Sequence, residues 1–209
     1  MQVPLVRQNS LIANKVLLDT GVAAGEGAVD ISMAAEVNFN KDFEEIIQLG
    51  QGSFAEVFRV KEKGGERAFA VKKTKVAFRS RKDRDRTLDE ARLLKEVNLR
   101  HCKHIVQFIR AWQEDGLLYV QLEYASKGSL KDLIMEFAQE DRRVPDETIF
   151  RILHDAAAGL SHIHSFDIVH LDIKPANLLI FEDGTIKICD FGLAIKLGQK
   201  EDGREGDSK

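Results

Sequence analysis

His170-Leu171-Asp172-Ile173-Lys174-Pro175-Ala176-Asn177, followed thirteen residues after Asn177 by Asp190-Phe191-Gly192, constrains this chain more than any other feature. A carboxylate, an ammonium two residues on and an amide three further on share one polar loop behind the short apolar run Ile168-Val169. Asp172 is suited to accept a proton from a hydroxyl, Lys174 to steady a transferring phosphate and Asn177 to ligate a divalent cation. Asp190, at a strand end, adds a second hard oxygen, and Asp and Asn oxygens together with phosphate form the donor set that Mg²⁺ prefers. A chance polar loop explains any one of these groups, but not all of them in this order and spacing.

Composition sets the frame for that loop. Of 209 residues, 34 are acidic and 31 basic, a net charge of −3 that argues against a dedicated nucleic-acid binder. Hydrophobic residues make up 44%, enough for a core, and the length predicts one domain or one domain plus a tail. No stretch of about 18 uncharged apolar residues marks a transmembrane helix. The opening MQVPLVRQNS lacks a signal-peptide layout. Cys102 and Cys189 cannot make a disulfide framework, so an intracellular protein with reduced thiols, in the nucleus or cytoplasm, is expected. Residues 1–42, with Gly21, Gly25 and Gly27 among alanines, read as a flexible leader.

From Phe43 the texture changes. Ile46, Ile47 and Leu49, a glycine-rich turn, then Val57, Phe58 and Val60, then Gly64-Gly65 and Ala68–Lys72 predict an antiparallel meander. A helix follows through Leu88, Ala91, Leu94 and Val97. The strands Ile105–Trp112 and Leu117–Tyr124 are joined at the hairpin signal Asp115-Gly116. Ser129 through Asp132 forms a capping box, and Pro145 suits the first position of a second helix. Ile149, Ile152, Leu153, Ala156, Ala157, Leu160 and Ile163 read as the buried face of that helix. Leu178–Phe181 and Ile186–Cys189 are short strands around a turn at Asp183-Gly184. Five strands with one helix, then helices with short strands, predict an α+β chain in two lobes.

Gly50-Gln51-Gly52-Ser53-Phe54-Ala55-Glu56-Val57 lies between two strands, where glycines let backbone N–H groups approach phosphate oxygens. Alone it is weak: fifteen glycines produce about one Gly-x-Gly by chance, and Gly25-Glu26-Gly27 is such a decoy. Lys72 strengthens it. Period 2 puts Ala70 and Lys72 on one face of the third strand, and a lysine beside phosphates needs an anion to hold it. Glu90, directly before the Ala91/Leu94 stripe, is preferred for that role over Glu96. The basic run from Arg79 to Arg86 reads as a solvated loop before a helix, and His101-Cys102-Lys103-His104 as a polar turn without a second ligand pair. Trp112 reads as a packing residue, and His154, His162 and His164 carry no assigned role.

Taken in order from Phe43 to Leu193, these segments resemble the eukaryotic protein kinases. The resemblance implies a kinase domain over 43–209, with a small lobe at 43–124 built from a five-stranded antiparallel sheet and one helix. A helical large lobe at 125–209 would follow. It implies ATP and Mg²⁺ as cofactors, Asp172 as catalytic base with Lys174 beside it, and Asn177 and Asp190 as magnesium ligands. Leu49, Gly50, Gly52, Val57 and Ala70 would surround the nucleotide, Lys72 would pair with Glu90, and Glu123-Tyr124-Ala125 would be a hinge meeting adenine through backbone groups. Leu122 would be the gatekeeper.

Within that family the chain is most similar to the Wee/Myt cell-cycle inhibitory kinases. The features are His170-Leu171-Asp172 in place of His-Arg-Asp, the Phe108–Trp112 run with Glu114-Asp115, and Glu205-Gly206-Asp207-Ser208. The implied reaction is inhibitory phosphorylation of a cyclin-dependent kinase, largely on tyrosine; Lys174 leaves tyrosine against serine or threonine open. Translation-initiation-factor kinases share an Ala-Trp feature but typically keep His-Arg-Asp and a long insert where Gln113–Gly116 is short. Ala55 stands where the family has a third glycine. Leu171 removes the arginine that would grip a phosphorylated activation loop, so phosphorylation there is not expected to switch the enzyme on. No Ala-Pro-Glu follows Gly192, so a C-terminally truncated large lobe is expected, ending inside the activation segment, with apolar area left exposed on the helix at 146–165. The contrasting reading is a truncated, catalytically silent nucleotide-binding or interaction protein.

Overall fold

Alternating apolar residues and tight turns build the first half of the molecule. The computed structural model describes residues 37–77 and 81–198, without the side chains of 81–86. A short helix α1 (Phe39–Asp42) leads into β1 (Phe43–Gln51), β2 (Ala55–Glu62) and β3 (Ala68–Thr74). Helix α2 (Arg81–Val97) then crosses to β4 (Phe108–Glu114) and β5 (Leu117–Glu123). The strands form one antiparallel sheet in the order β1-β2-β3-β5-β4. Asp115 and Gly116 turn β4 into β5 with φ of 52° and 75°, the left-handed pair that a two-residue hairpin needs.

One face of this sheet is aromatic. Trp112 stacks between Phe43, at 5.7 Å, and Tyr119, at 5.1 Å, so it is a packing residue. Phe39 of α1 joins them 5.3 Å from Tyr119, and its N–H donates to the Glu114 carboxylate at 2.8 Å. The last residues of the segment read as a leader are therefore docked on the sheet. On the other face Leu88 and Ala91 of α2 meet Ala111, Leu118 and Val120. Leu93, Leu94 and Val97 of the same helix belong instead to the second core, with Ile105, Ile163, Ile188 and Phe191. Helix α2 is thus built into both lobes.

The second lobe contains α3 (Leu130–Gln139), α4 (Asp146–His164), β6 (Ile168–Val169), a 3₁₀ turn at Pro175–Asn177, β7 (Leu178–Ile180), β8 (Ile186–Ile188) and β9 (Ile195–Lys196). β7 pairs with β8, and β6 with β9. The capping box of α3 is present: Ser129 Oγ accepts the Asp132 N–H at 3.3 Å, and the Asp132 carboxylate accepts the Ser129 N–H at 2.8 Å.

Four expectations need correction. Pro145 is the N-cap of α4, one residue before its first turn. Ile105 lies outside β4 and makes a parallel bridge to Ile188. Residues 81–86 are helix rather than loop, while 79–80 lie outside the described residues. Lastly, Ile152, Ala156, Leu160 and Ile163 of α4 face the core as expected, but Asp155 and Gly159 are buried with them and Leu153 is not. The apolar exposure expected on this helix is present, with Phe150 72% and Leu153 60% exposed. β8 approaches the helix closely at Gly159, where a methyl group would sit 2.8 Å from both His104 O and Ile188 Cδ1. Asp155 lies on the same face, where its carboxylate accepts the Ile186 N–H at 3.0 Å and lies against His104 and His154. No helix among the described residues is long and apolar enough to cross a membrane. Residues 1–36 and the Glu205–Ser208 segment lie outside the description.

Candidate active site

The pleat of β3 turns Ala70 and Lys72 to the same face, with Val57 opposite Lys72 on β2 and Leu122 opposite Ala70 on β5. Lys72 Nζ donates to Glu90 Oε1 at 2.5 Å and to Asp190 Oδ1 at 2.8 Å, joining β3, α2 and the segment after β8. Glu90 is thus the partner, and the alternative Glu96 is engaged elsewhere, by Lys196. Burial opposes the charge on Lys72, but Glu90 and Asp190 outweigh it and hold its pKa above the ordinary lysine value. Burial likewise opposes the charge on Asp190, and Lys72 with the Gly192 N–H reverses the balance, leaving its pKa low. A methyl on Gly192 would stand 3.3 Å from Asp190 Oδ1 and 3.6 Å from Glu90 Oε2, so a glycine keeps this junction open.

The loop after β6 presents the second carboxylate. Asp172 Oδ2 accepts Lys174 Nζ at 2.7 Å and Asn177 Nδ2 at 2.9 Å, and the Lys174 bond is the main reason its pKa lies low. Asn177 Nδ2 also reaches the Asp172 carbonyl at 2.9 Å. With the amide nitrogen so committed, Asn177 Oδ1 makes no hydrogen bond among the described residues and is the atom offered to a cation. Asp190 and Asn177 together supply two hard oxygens, the number Mg²⁺ takes from protein when phosphates and water complete its shell. Among the described residues no cluster of three His, Cys, Asp or Glu competes for a metal, including the His101–His104 turn. The residues present therefore fit Mg²⁺ bound with phosphate.

Residues 50–55 carry little packing duty. A methyl on Gly50 meets nothing within 4 Å, and one on Gly52 reaches only Ala55 O at 3.6 Å. The turn is closed by the Gly52 N–H to Ala55 O, 2.8 Å, and the Lys75 N–H to Phe54 O, 3.0 Å. The packing does not require glycine at either position, and the absence of a Cβ leaves the backbone there open to close approach. Leu49 is solvent-exposed at the end of β1, Glu123 ends β5, and Ala125 follows it.

His170, Cys189 and the Glu123 side chain make contacts beyond those the sequence led us to expect of them. His170 is buried, accepts the Asp172 N–H at Nδ1 (3.3 Å), donates from Nε2 to Cys189 O (3.0 Å) and packs edge-on to Phe191. Burial lowers its pKa, and the neutral ring has the one donor and one acceptor these bonds require. Cys189, beside Asp190, is pushed up to about 12 by burial and stays a thiol. The Glu123 side chain accepts Lys187 Nζ at 2.6 and 2.8 Å and the Gln107 N–H at 2.7 Å. The only available signal was the histidine two residues before Asp172; partners 64 residues apart, as Glu123 and Lys187 are, leave no local spacing.

A lysine bridging a helix glutamate and a metal-competent aspartate, below a glycine turn and beside a second aspartate, defines a phosphate-handling site of the kinase class. The protein kinase domain family matches residues 43–207, and the chain belongs to it. Among relatives, it is 40% identical to the "Mitosis inhibitor protein kinase wee1" of Schizosaccharomyces pombe, over 73% of this chain and 17% of that protein. It is 35% identical to the "Membrane-associated tyrosine- and threonine-specific cdc2-inhibitory kinase" of Drosophila melanogaster, over 86% of this chain and 33% of that protein. A "Probable protein kinase" of Dictyostelium discoideum is 38% identical, over 76% of this chain and 20% of that protein. The chain thus spans a third or less of the length of each of these relatives.

Proposed function

We propose that the protein transfers the γ-phosphoryl group of ATP to a hydroxyl of a cyclin-dependent kinase, on tyrosine or threonine, as a Wee/Myt-type inhibitory kinase. The observation that carries the reading is Lys72 held between Glu90 and Asp190, with Asp172 fixed by Lys174 and Asn177. The name of the Drosophila melanogaster relative, a tyrosine- and threonine-specific cdc2-inhibitory kinase, supports the substrate class.

In this reading Leu49, Val57 and Ala70 enclose the base, and the backbone at Glu123 and Ala125 meets its edge. Glycines 50 and 52 let main-chain N–H groups reach the phosphates, and Lys72 carries a permanent positive charge toward them. Asp190 and Asn177 would hold magnesium, which neutralises phosphate charge when bound. Asp172 takes the proton of the attacking hydroxyl as the new phosphorus–oxygen bond forms and the bond to ADP breaks. Its low pKa keeps it ionised and ready at neutral pH, and Lys174 steadies the phosphoryl oxygens. An intracellular setting, nucleus or cytoplasm, accords with this substrate and with Cys102 and Cys189 both being free thiols.

The test is transfer of labelled phosphate from ATP to a cyclin-dependent kinase. Asp172→Asn is expected to lower turnover by at least about 100-fold. Asp190→Ala is expected to abolish thermal stabilisation by Mg-ATP. Stabilisation by Mg-ATP without any transfer by the wild-type protein would replace this reading with a silent nucleotide-binding one.

A further inference from the structure

Glu96, the residue not chosen by Lys72, is held by Lys196 of β9. The pair is partly buried and joins positions 100 residues apart. Glu90 and Glu96 lie six residues apart on α2, about 9 Å along its axis and about 120° around it. Lys72 grips the helix at the first point, from the small lobe, and Lys196 grips it at the second, from the segment after Asp190. A single attachment lets a helix pivot. Added to the burial of Leu88, Ala91, Leu93, Leu94 and Val97 in the two cores, two polar attachments separated along and around the axis constrain its tilt and rotation together.

The segment that carries Lys196 has few other anchors. β9 is two residues long and pairs only with Ile168 and Val169; the Leu197 N–H adds one bond to Asp167 O at 2.7 Å. So short a ladder is marginal by itself. Ala194 before it packs on the second core, but Ile195 and Leu197, the apolar residues on either side of Lys196, are both exposed. At the catalytic loop, position 171 offers an exposed leucine rather than a cation that could hold a phosphorylated segment. The ion pair to Glu96 is thus a charged side-chain link between this segment and α2.

We propose that Lys196 is a positioning residue. Through Glu96 it fixes the C-terminal turn of α2 against the activation segment, keeps Glu90 on Lys72, and does so with no phosphate on that segment. The proposal deepens the kinase reading and rests on it for its activity measurements.

The experiment compares wild-type protein with Lys196→Met, Lys196→Arg, Glu96→Gln and the exchanged pair Lys196→Glu with Glu96→Lys. Amide hydrogen exchange over residues 88–97 is expected to quicken in Lys196→Met and Glu96→Gln and to stay at the wild-type rate in Lys196→Arg and the exchanged pair. Turnover in phosphate transfer is expected to fall about three- to fivefold in Lys196→Met and Glu96→Gln, with KM for ATP within about twofold, the size of effect a partly exposed ion pair supports. Lys196→Arg and the exchanged pair are expected to recover turnover to within about twofold of wild type. Treatment of the wild-type protein with a phosphatase is expected to leave turnover unchanged. Wild-type exchange in both Lys196→Met and Glu96→Gln would overturn the proposal, as would loss of activity on phosphatase treatment. The exchange arm needs no catalysis, so a wild-type protein that transfers no phosphate would defeat the kinase reading while the Lys196–Glu96 link was still tested. If Lys196→Met does not fold, Glu96→Gln carries the same expectation.

Discussion

Lys72 and Asp190 illustrate how one partner can reverse the effect of burial on a charge. Desolvation alone would drive the Asp190 carboxyl toward its neutral form, and the ammonium at 2.8 Å more than offsets it. Because the folded-state pKa lies below the unfolded one, the stabilisation from Asp190 is fully present above the ordinary aspartate pKa, about 3.9. It is lost only as pH falls through the lower folded value. Lys72→Met removes the compensating charge and leaves the desolvation in place, so Asp190 is expected to titrate above its ordinary value. The wild-type carboxyl is expected to titrate below it. Carbon-detected NMR of the Asp190 carboxyl across pH 2–7, in the absence of nucleotide, checks the order of the two midpoints. Unchanged titration in Lys72→Met would mean that Lys72 does not govern this carboxylate. Had Lys72 been an ordinary surface lysine with its stem laid along the sheet, neither group would show these opposed shifts.

Elements are decided by what stands at their ends and at their closest contacts. Helix α3 begins where Ser129 and Asp132 satisfy each other's backbone N–H groups, and Ser129→Ala is expected to cost about 1 kcal/mol in thermal or urea unfolding. In α4 the decisive residue is Gly159. A helix interior ordinarily gains about 1 kcal/mol from Gly→Ala. Here the added methyl would lie 2.8 Å from a backbone carbonyl and from Ile188, so Gly159→Ala is expected to destabilise by about 1–3 kcal/mol and to disturb the β8 strand. A stabilised variant would refute the close packing. These cases also mark what the sequence could reveal about the fold and the site. The sheet, the capping box and the Asp115-Gly116 turn were legible because each has a local chemical marker. The Lys72 face of β3 was legible because strand periodicity is local too. The buried face of α4 was legible in part: Ile152, Ala156, Leu160 and Ile163 pack on the core, but Asp155 and Gly159, which an apolar count passes over, are buried where Leu153 and Ala157 are not. The docking of α1 was hidden because Phe39 packs on Tyr119, far away in the chain. The Glu123–Lys187 and Glu96–Lys196 pairs were hidden for the same reason.

Across the whole molecule, polar links between the lobes converge on the site. Lys72 reaches Asp190, α2 reaches β9 through Glu96, and Glu123 at the end of β5 reaches Lys187 on β8. The last of these is the most enclosed, with side chains only 11% and 16% exposed and Lys187 also lying 4.3 Å over the Phe181 ring. Lys187 stands three residues before Asp190, and Glu123 opens the segment whose backbone is proposed to meet the nucleotide. One ion pair therefore couples the end of the small-lobe sheet to the strand that delivers the metal-competent aspartate. Removing one partner of such a pair costs more than the pair contributes, because the other charge stays desolvated. Lys187→Met leaves the Glu123 carboxylate with the Gln107 N–H and no cation, and is expected to cost about 2–3 kcal/mol. In a chain of this size that lowers the melting temperature by about 4–12 °C. Glu123→Leu in the Lys187→Met background removes the stranded carboxylate and is expected to recover much of the loss. The double-mutant cycle should then return a coupling of about 1–3 kcal/mol, measured by thermal or urea unfolding. Additive effects would show that the two lobes are held without this pair. A cycle that couples in stability should couple in Mg-ATP stabilisation as well, since the same two side chains set where the end of β5 stands relative to Asp190.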